Sequence, residues 1–149
     1  MAQAKTVKGS QLLILVGDGG SPETFAHPCL INSSRGIQFS AETNSANVPD
    51  CDDPDAIQWT EVDKKSLSAG VTGAGTLNAT DSETFFDWFK SADTKTVRVK
   101  KNVTGANGGG YWEGEFHLTQ YEENGNIGEK VQCSITLVSS GAITWTDNA

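Results

Sequence analysis

The chain has 149 residues, with 19 acidic and 11 basic side chains and a formal net charge of −8 at pH 7. This charge disfavours ordinary binding to nucleic-acid phosphates, which needs clustered lysine and arginine, but it is compatible with a surface past which nucleic acid slides. The 36% hydrophobic content and 16 glycines are typical of one β-rich domain with many turns. Three cysteines without C-x-x-C spacing argue against a disulfide framework.

The N-terminal part of the chain predicts two short extended segments. Gln11–Val16 is an apolar strand that stops at a glycine-rich turn, and Phe25–Ile31 contains Pro28, which favours a sheet edge. The apolar run is far shorter than a membrane span or a signal peptide requires. We therefore expect no membrane span, and synthesis in a cytoplasm.

Four later segments alternate apolar and polar residues, which predicts strands with one buried face and one wet face. These segments are Ser34–Glu42, Ser66–Leu77, Glu113–Tyr121 and Lys130–Val138. In the third segment the alternation places Tyr121 on the polar face. Thr96–Lys100 and Ile143–Thr146 predict shorter strands, and Asn124-Gly-Asn predicts a hairpin turn between the last two long strands.

The segment Thr43–Trp59 interrupts this alternation and predicts one long loop. It contains two prolines and no apolar period, and loops of this length in a small domain are usually functional or mobile. Its apolar side chains lack cover within one molecule, so we expect them to contact a neighbouring subunit. These interface residues are Val48, Pro49, Ile57 and Trp59.

The sequence gives only weak evidence for a catalytic or metal-binding site. The loop holds a cluster of carboxylates that could offer oxygens to calcium, but the ligand order of an EF-hand is missing, so a solvated acidic loop is the better interpretation. The cluster consists of Asp50, Asp52, Asp53 and Asp55. The two histidines, His27 and His117, have no nucleophile motif beside them. We expect no catalytic residues, no bound metal and no cofactor.

The residues Asp81–Lys90 predict the one helix of the chain. Thr80 and Glu83 fit a capping box, and aromatic residues between positions 85 and 89 form a stripe that must bury against a sheet. The expected core residues of this helix are Phe85, Trp88 and Phe89. The predicted fold is mainly β: a single domain over residues 1–149, with an antiparallel sandwich or barrel-like sheet and one short helix packed on it.

The polar faces of the four alternating strands consist of short Ser, Thr, Gly, Gln and Glu side chains. A solvent-facing sheet favours longer charged side chains, whereas a channel wall for DNA needs short ones without lysine or arginine. The pattern alone leaves both a soluble sandwich and a channel open. The residues that would face a channel are Gln38, Ser40, Thr72, Glu113, Glu115, Gln132 and Ser134. Those that would face the core are Ile37, Phe39, Val71, Phe116, Cys133 and Ile135.

The passage from Gly73-Ala-Gly-Thr-Leu77 to Phe85-Phe-Asp-Trp-Phe89, with the order of strands around it, resembles the tail tube (major tail) proteins of long-tailed bacteriophages and related gene transfer agents. The resemblance covers nearly the whole chain. It implies homohexameric rings stacked into a tube, whose lumen conducts DNA without specific binding. It also implies contacts with the tape measure, tail terminator and distal tail proteins, and a place in the tail of a virion or phage-like particle.

The sequence therefore favours a structural tube subunit without enzymatic activity. The alternative from another class is a monomeric β-sandwich recognition module that binds carbohydrate or protein through exposed aromatics such as Tyr111 and Trp112. A hydrolase with an unrecognised site is a weaker third hypothesis. A tube subunit forms hollow rings and a recognition module stays monomeric, so electron microscopy of concentrated protein separates the first two.

Overall fold

A computed structural model describes residues 3–17, 25–26 and 33–148, with only the backbone described at 25–26. The strands are β1 (Leu12–Gly17), β2 (Phe25–Ala26), β3 (Ser34–Val48), β4 (Trp59–Thr76), β5 (Lys95–Lys101), β6 (Gly110–Asn124), β7 (Gln132–Ser139) and β8 (Thr144–Asp147). One α-helix, α1 (Ser82–Lys90), lies between β4 and β5. The extended segment predicted for Phe25–Ile31 falls mostly outside the described residues.

The strands form one antiparallel sheet in the order β2-β1-β5-β6-β7-β4-β3, and β8 pairs with the N-terminal part of β6. The strands β1 and β3 are in contact although they lie far apart in strand order, which shows that the sheet curves strongly. Arg35 Nη2 lies 3.5 Å from the Gly9 carbonyl oxygen at this junction. The predicted class, a barrel-like antiparallel β domain with one short helix, is confirmed.

The core lies on the inner face of this curved sheet. Alternate residues of β1, β4, β5, β6 and β7 point into it, as the period of two requires. Its largest fully buried side chains are Ile14, Val71, Val97, Val99, Phe116, Ile135 and Leu137. Ile37 and Cys133 share this face, as predicted. Phe39 also lies on it, opposite the buried Ala69, but is itself 51% exposed.

The helix α1 packs on β6 through a narrow ridge. Phe85 and Trp88 are each 4% exposed, and the Phe85 ring stacks on Tyr121 with centroids 6.1 Å apart. The prediction that Phe89 belongs to the core is wrong, since Phe89 is 48% exposed and Phe86 is 51% exposed. Successive helical residues are rotated by about 100° around the axis. A helix that packs through an i, i+3 pair therefore leaves the residue after each member of that pair, here Phe86 and Phe89, at its side.

The predicted capping box at the start of this helix is also wrong. A 3₁₀ turn over Ala79–Asp81 precedes α1, and Asn78 supplies the cap. The Asn78 Oδ1 accepts hydrogen bonds from the backbone amide of Thr80 at 3.4 Å and from its hydroxyl at 2.9 Å. The Thr80 side chain is therefore a donor to Asn78, so Thr80 does not itself act as the N-cap.

The strands β3 and β4 continue well beyond the rest of the sheet. Thr43–Val48 pairs with residues 59–64, and no other described strand pairs with this part of the hairpin. The loop is thus residues 49–58, and the predicted start at Thr43 was wrong. Both faces of this hairpin are exposed, so its strands lack the apolar alternation by which a buried strand is recognised. We call residues 43–64 the arm.

The burial of Trp88 leads to a prediction about stability. Trp88→Ala should lower the free energy of unfolding by about 3–5 kcal/mol, because it truncates a buried aromatic side chain and leaves a cavity. Phe86→Ala, on the same helix but half-exposed, is the matched control and should cost about 1 kcal/mol or less. Urea denaturation of both variants measures the difference. Equal losses would contradict the one-ridge packing of α1.

Candidate assembly surfaces

The structure brings five of the predicted channel-facing residues together on one surface. They lie on the adjacent strands β3, β4 and β7, on the face that points away from the core. Their neighbours on that face include Thr136, which pairs with Thr72, and Gln120, which pairs with Thr136. We call this surface the polar wall. It consists of Gln38, Ser40, Thr72, Gln120, Glu122, Gln132, Ser134 and Thr136.

The other two predicted residues, Glu113 and Glu115, lie elsewhere. They belong to the part of β6 that pairs with β5 and β8. Glu113 Oε2 lies 3.5 Å from Arg98 Nε, and both carboxylate oxygens of Glu115 accept threonine hydroxyls of the β5 region at 2.8 Å. The polar wall instead takes its β6 residues from the part of the strand that pairs with β7. The structure does not group these two glutamates with the other five residues.

None of the eight residues of the polar wall is a lysine or an arginine. The basic residues of β3 and β4 lie elsewhere: Arg35 on the core-side face, and Lys64 and Lys65 at the base of the arm. The acidic member of the polar wall is Glu122, and Glu42 extends the same face towards the arm. Sequence reasoning missed Gln120 and Glu122, because a β-bulge between Leu118 and Gln120 shifts the register of β6. The bulge reverses the alternation, so Tyr121 points to the core side and the prediction that it lies on the polar face is wrong.

A hydrogen-bonded cluster fixes the start of α1 to β6. The Glu123 carboxylate accepts the Ser82 hydroxyl at 2.5 Å and the Tyr121 hydroxyl at 2.6 Å. These two hydrogen bonds, that of Ser82 first, hold the pKa of Glu123 below its usual value. Burial, together with the hydrogen bond to Glu123, raises the pKa of Tyr121 to about 12. The cluster therefore favours a neutral phenol beside an ionised carboxylate.

Exposed large apolar side chains lie at two opposite ends of the molecule. At one end, Thr76 of β4 pairs with Gln132, close to α1; at the other, β4 runs past Gly70 and Val138 into the arm. The arm end exposes Phe39, Val48, Ile57, Trp59, Val62, Leu67 and Trp145. The helix end exposes Phe86, Phe89, Ile127 and Val131. Among the described residues, only Val138 of this exposed set lies between the two ends.

The arm end also contains an apolar cavity of about 600 Å³, which we call the aromatic pocket. The ring of Trp112 lies 5.4 Å from that of Phe39 and 4.8 Å from that of Trp145. Leu67 and Ile143 complete the apolar lining. Trp145 Nε1 donates to Asp147 Oδ1 at 2.7 Å, which fixes the orientation of this indole.

A basic side chain lies over two rings of the aromatic pocket. Lys101 Nζ lies 4.8 Å from the ring centre of Trp112 and 5.5 Å from that of Trp145. The negative faces of the indoles attract this ammonium group. Two rings that line the apolar pocket thus contact a cation, Lys101, while the Asp147 carboxylate accepts the indole N–H of Trp145.

The remaining candidate sites show no catalytic arrangement in the part of the chain that is described. No group of three or more His, Cys, Asp or Glu residues there could hold a metal ion, and the Asp50 carboxylate accepts the Asp52 amide at 2.9 Å within the loop. Cys51 is exposed, whereas burial raises the pKa of the Cys133 thiol. His27 and Cys29 lie outside the described residues. No described helix is long and apolar enough to cross a membrane.

The whole β domain corresponds to one known family. The phage tail tube protein family matches residues 6–145. The chain belongs to this family. No curated protein sequence matches the chain. The chain is thus a structural subunit of a phage-type tail tube, and the family is a structural one.

Solved structures show the same fold in other tail tube proteins. One is the tail of an empty gene transfer agent particle, refined with C6 symmetry, with a TM-score of 0.76, 21% identity, and coverage of 95% of this chain and 99% of that one. The SPP1 tail tube has a TM-score of 0.69 at 11% identity, covering 96% and 80%. The sheath–tube complex of an extracellular contractile injection system has a TM-score of 0.61 at 15% identity, covering 95% and 92%. At these identities the likeness establishes the fold.

The cluster at Tyr121 predicts a pH dependence of stability. Because the pKa of Tyr121 is raised to about 12, its contribution is fully present below the ordinary value of 10.0 and is lost as pH rises through 12. Tyr121→Phe should therefore reduce the fall of the melting temperature between roughly pH 9.5 and pH 12. Tyr111→Phe, in the other half of the sheet, is the control and should keep the wild-type slope. Parallel slopes for the wild type and Tyr121→Phe would contradict this role.

Proposed function

We propose that this tail tube protein assembles into hexameric rings that stack head to tail into a tube, and that the polar wall lines the lumen through which DNA passes. The observation that carries the proposal is the gathering of exposed apolar side chains at the arm end and the helix end. Two different surfaces at opposite ends make a heterologous contact, which repeats without closing and so builds a filament. We propose that the protein acts in this way without catalysis.

Two strand edges without a second partner strand among the described residues support closure into a ring. β3 pairs only with β4, and residues 117–124 of β6 pair only with β7 among the described strands. An edge strand presents unpaired amide and carbonyl groups to another chain. Pairing β3 of one copy with β6 of the next would join the polar walls into one continuous inner barrel. It would also satisfy the backbone groups of both edges.

The chemistry of the polar wall suits a channel for DNA. Its side chains are short and uncharged apart from Glu122, with Glu42 farther along the same face. Each lysine or arginine in such a wall would bind a phosphate and release counterions, so it would hold the DNA instead of letting it slide. The smooth, mildly negative surface is the property that passage requires.

Structural neighbours support the symmetry and the partners. One gene transfer agent tail was refined with C6 symmetry. Another neighbour is the tube-terminating cap of the anti-feeding prophage, and another is the baseplate of the same system. By analogy we propose six copies per ring, with the tail terminator and distal tail protein at the tube ends and the tape measure protein in the lumen.

A monomeric recognition module is the less favoured function. Arg98 lies over the Tyr111 ring at 4.6 Å, and Trp112 packs between Phe39 and Trp145. The Tyr111 ring is thus covered by a guanidinium group, and Trp112 packs between two rings of its own subunit while it lines the aromatic pocket. Exposed edges and apolar ends favour self-assembly over a monomer.

The arm is proposed to contact the next ring. Ile57 and Trp59 are 98% and 87% exposed, so substitution at the tip removes little packing from the monomer. Trp59→Asp should leave the melting temperature unchanged and prevent rings from stacking, because a carboxylate replaces an apolar contact. Gln58→Asp puts the same charge one residue away and should stack normally. Negative-stain microscopy and sedimentation measure tube formation, and normal tubes from Trp59→Asp would contradict the proposed contact.

The lumen assignment predicts opposite results for two pairs of lysine substitutions. The double variant Thr72→Lys, Ser134→Lys should slow DNA release from assembled particles by roughly several-fold, because each subunit adds phosphate contacts. The slowing should weaken in high salt, which screens these contacts. Glu113→Lys with Glu115→Lys is the matched control on the other surface and should release DNA at the wild-type rate. A dye that fluoresces on released DNA gives both rates. Slowing by the control pair alone would reverse the assignment.

A further inference from the structure

We propose that Ile127, at the tip of the β6–β7 turn, inserts into the aromatic pocket of the copy in the adjacent ring. This inference rests on the proposed head-to-tail stacking and identifies one pair of contacting surfaces within it. The occupant of the pocket is a second copy of this chain. The contact joins the helix end of one subunit to the arm end of another.

The β6–β7 turn presents Ile127 to a partner. The backbone amide of Glu129 donates to the Asn126 carbonyl at 3.1 Å, and Gly128 has a φ of 90°. A positive φ at the third residue is the signature of a type II turn, which places Ile127 at the second, outermost position. Ile127 is fully exposed, although such corners usually carry polar residues. The closed turn therefore holds an apolar side chain at the tip of the helix end.

The aromatic pocket is suited to receive one aliphatic side chain. Its walls come from three parts of the sheet: Phe39 and Leu67 at the base of the arm, Trp112 on β6, and Ile143 with Trp145 near the C-terminus. It opens at the arm end, where head-to-tail stacking places the helix end of the next subunit. An apolar side chain entering it is removed from water together with partly exposed rings, Phe39 at 51% and Trp145 at 39% among them.

The charges beside the two surfaces are complementary. Lys101 lies over the rings of Trp112 and Trp145, which line the pocket. Glu129 follows Ile127 by two residues, on the same turn. Seating Ile127 in the pocket brings this carboxylate towards the ammonium group of Lys101. Opposite charges at the rim of an apolar contact set its orientation more than its affinity.

The first experiment measures the critical concentration for tube formation by sedimentation and negative-stain microscopy. Ile127→Asp should raise this concentration by at least about tenfold while rings still form, because an ionised carboxylate is excluded from an apolar pocket. Ile127→Leu is the matched control: it keeps an aliphatic side chain of the same volume at the same position and should assemble as the wild type does. Normal stacking of Ile127→Asp, or equal loss in both variants, would overturn the contact.

A charge exchange separates intermolecular contact from local damage to the pocket. Lys101→Glu and Glu129→Lys should each raise the critical concentration, and the double variant should restore it, because the exchanged charges attract again. A double variant no better than the single ones would overturn the proposed pairing. If the wild-type protein itself never forms tubes, the proposed function fails and this inference with it. Wild-type tubes beside unimpaired Ile127→Asp tubes would overturn this inference alone.

Discussion

The strand β6 is the element on which the rest of the molecule depends. Its N-terminal half pairs with β5 and β8, and its C-terminal half pairs with β7, so it joins the two halves of the curved sheet. The helix α1 packs on the same strand through Phe85 and Tyr121. The bulge after Leu118 makes this possible, because it turns Tyr121 inward to meet the helix while Glu122 points out to the polar wall. The extra residue of the bulge thus allows β6 to contribute Tyr121 to the core side and Glu122 to the polar wall.

The curvature of the sheet decides which polar residues act together. A flat sheet would place Glu113, Glu115 and Thr72 on one continuous surface, since all three point away from the core. In the folded sheet, β1 approaches β3. Glu113 and Glu115 pair with β5, whereas Thr72 lies two strands away from β6, on β4. The two glutamates then bond to Arg98, Thr94 and Thr96 in their own half. The side chains of the polar wall form a separate surface that can line a lumen.

The subunit exposes apolar groups where a repeating assembly would cover them. A monomeric protein rarely gathers large exposed apolar residues at two opposite ends, because such patches promote aggregation. Here the arm carries Ile57 and Trp59, the pocket carries Phe39 and Trp145, and the helix end carries Phe89 and Ile127. The short polar wall between the ends lacks basic side chains. In the proposed assembly, the ends bind other copies of the chain and the wall does not bind DNA. A tube subunit for DNA needs both properties.

The sequence by itself determined the fold class, most strands and the direction of their side chains. Where one face is buried, as in β4 and β7, alternation with a period of two is visible in the residues themselves. Only the tertiary structure decided the length of the arm, the side of α1 that is buried and the separation of Glu113 from Thr72. The arm has no buried face to leave a pattern. Phe89 lies about one turn along the helix and only about 40° around it from Phe85, so the sequence predicts the same face for both. Curvature arises from contacts between distant strands. These features depend on what packs against a residue, which its neighbours along the chain do not specify.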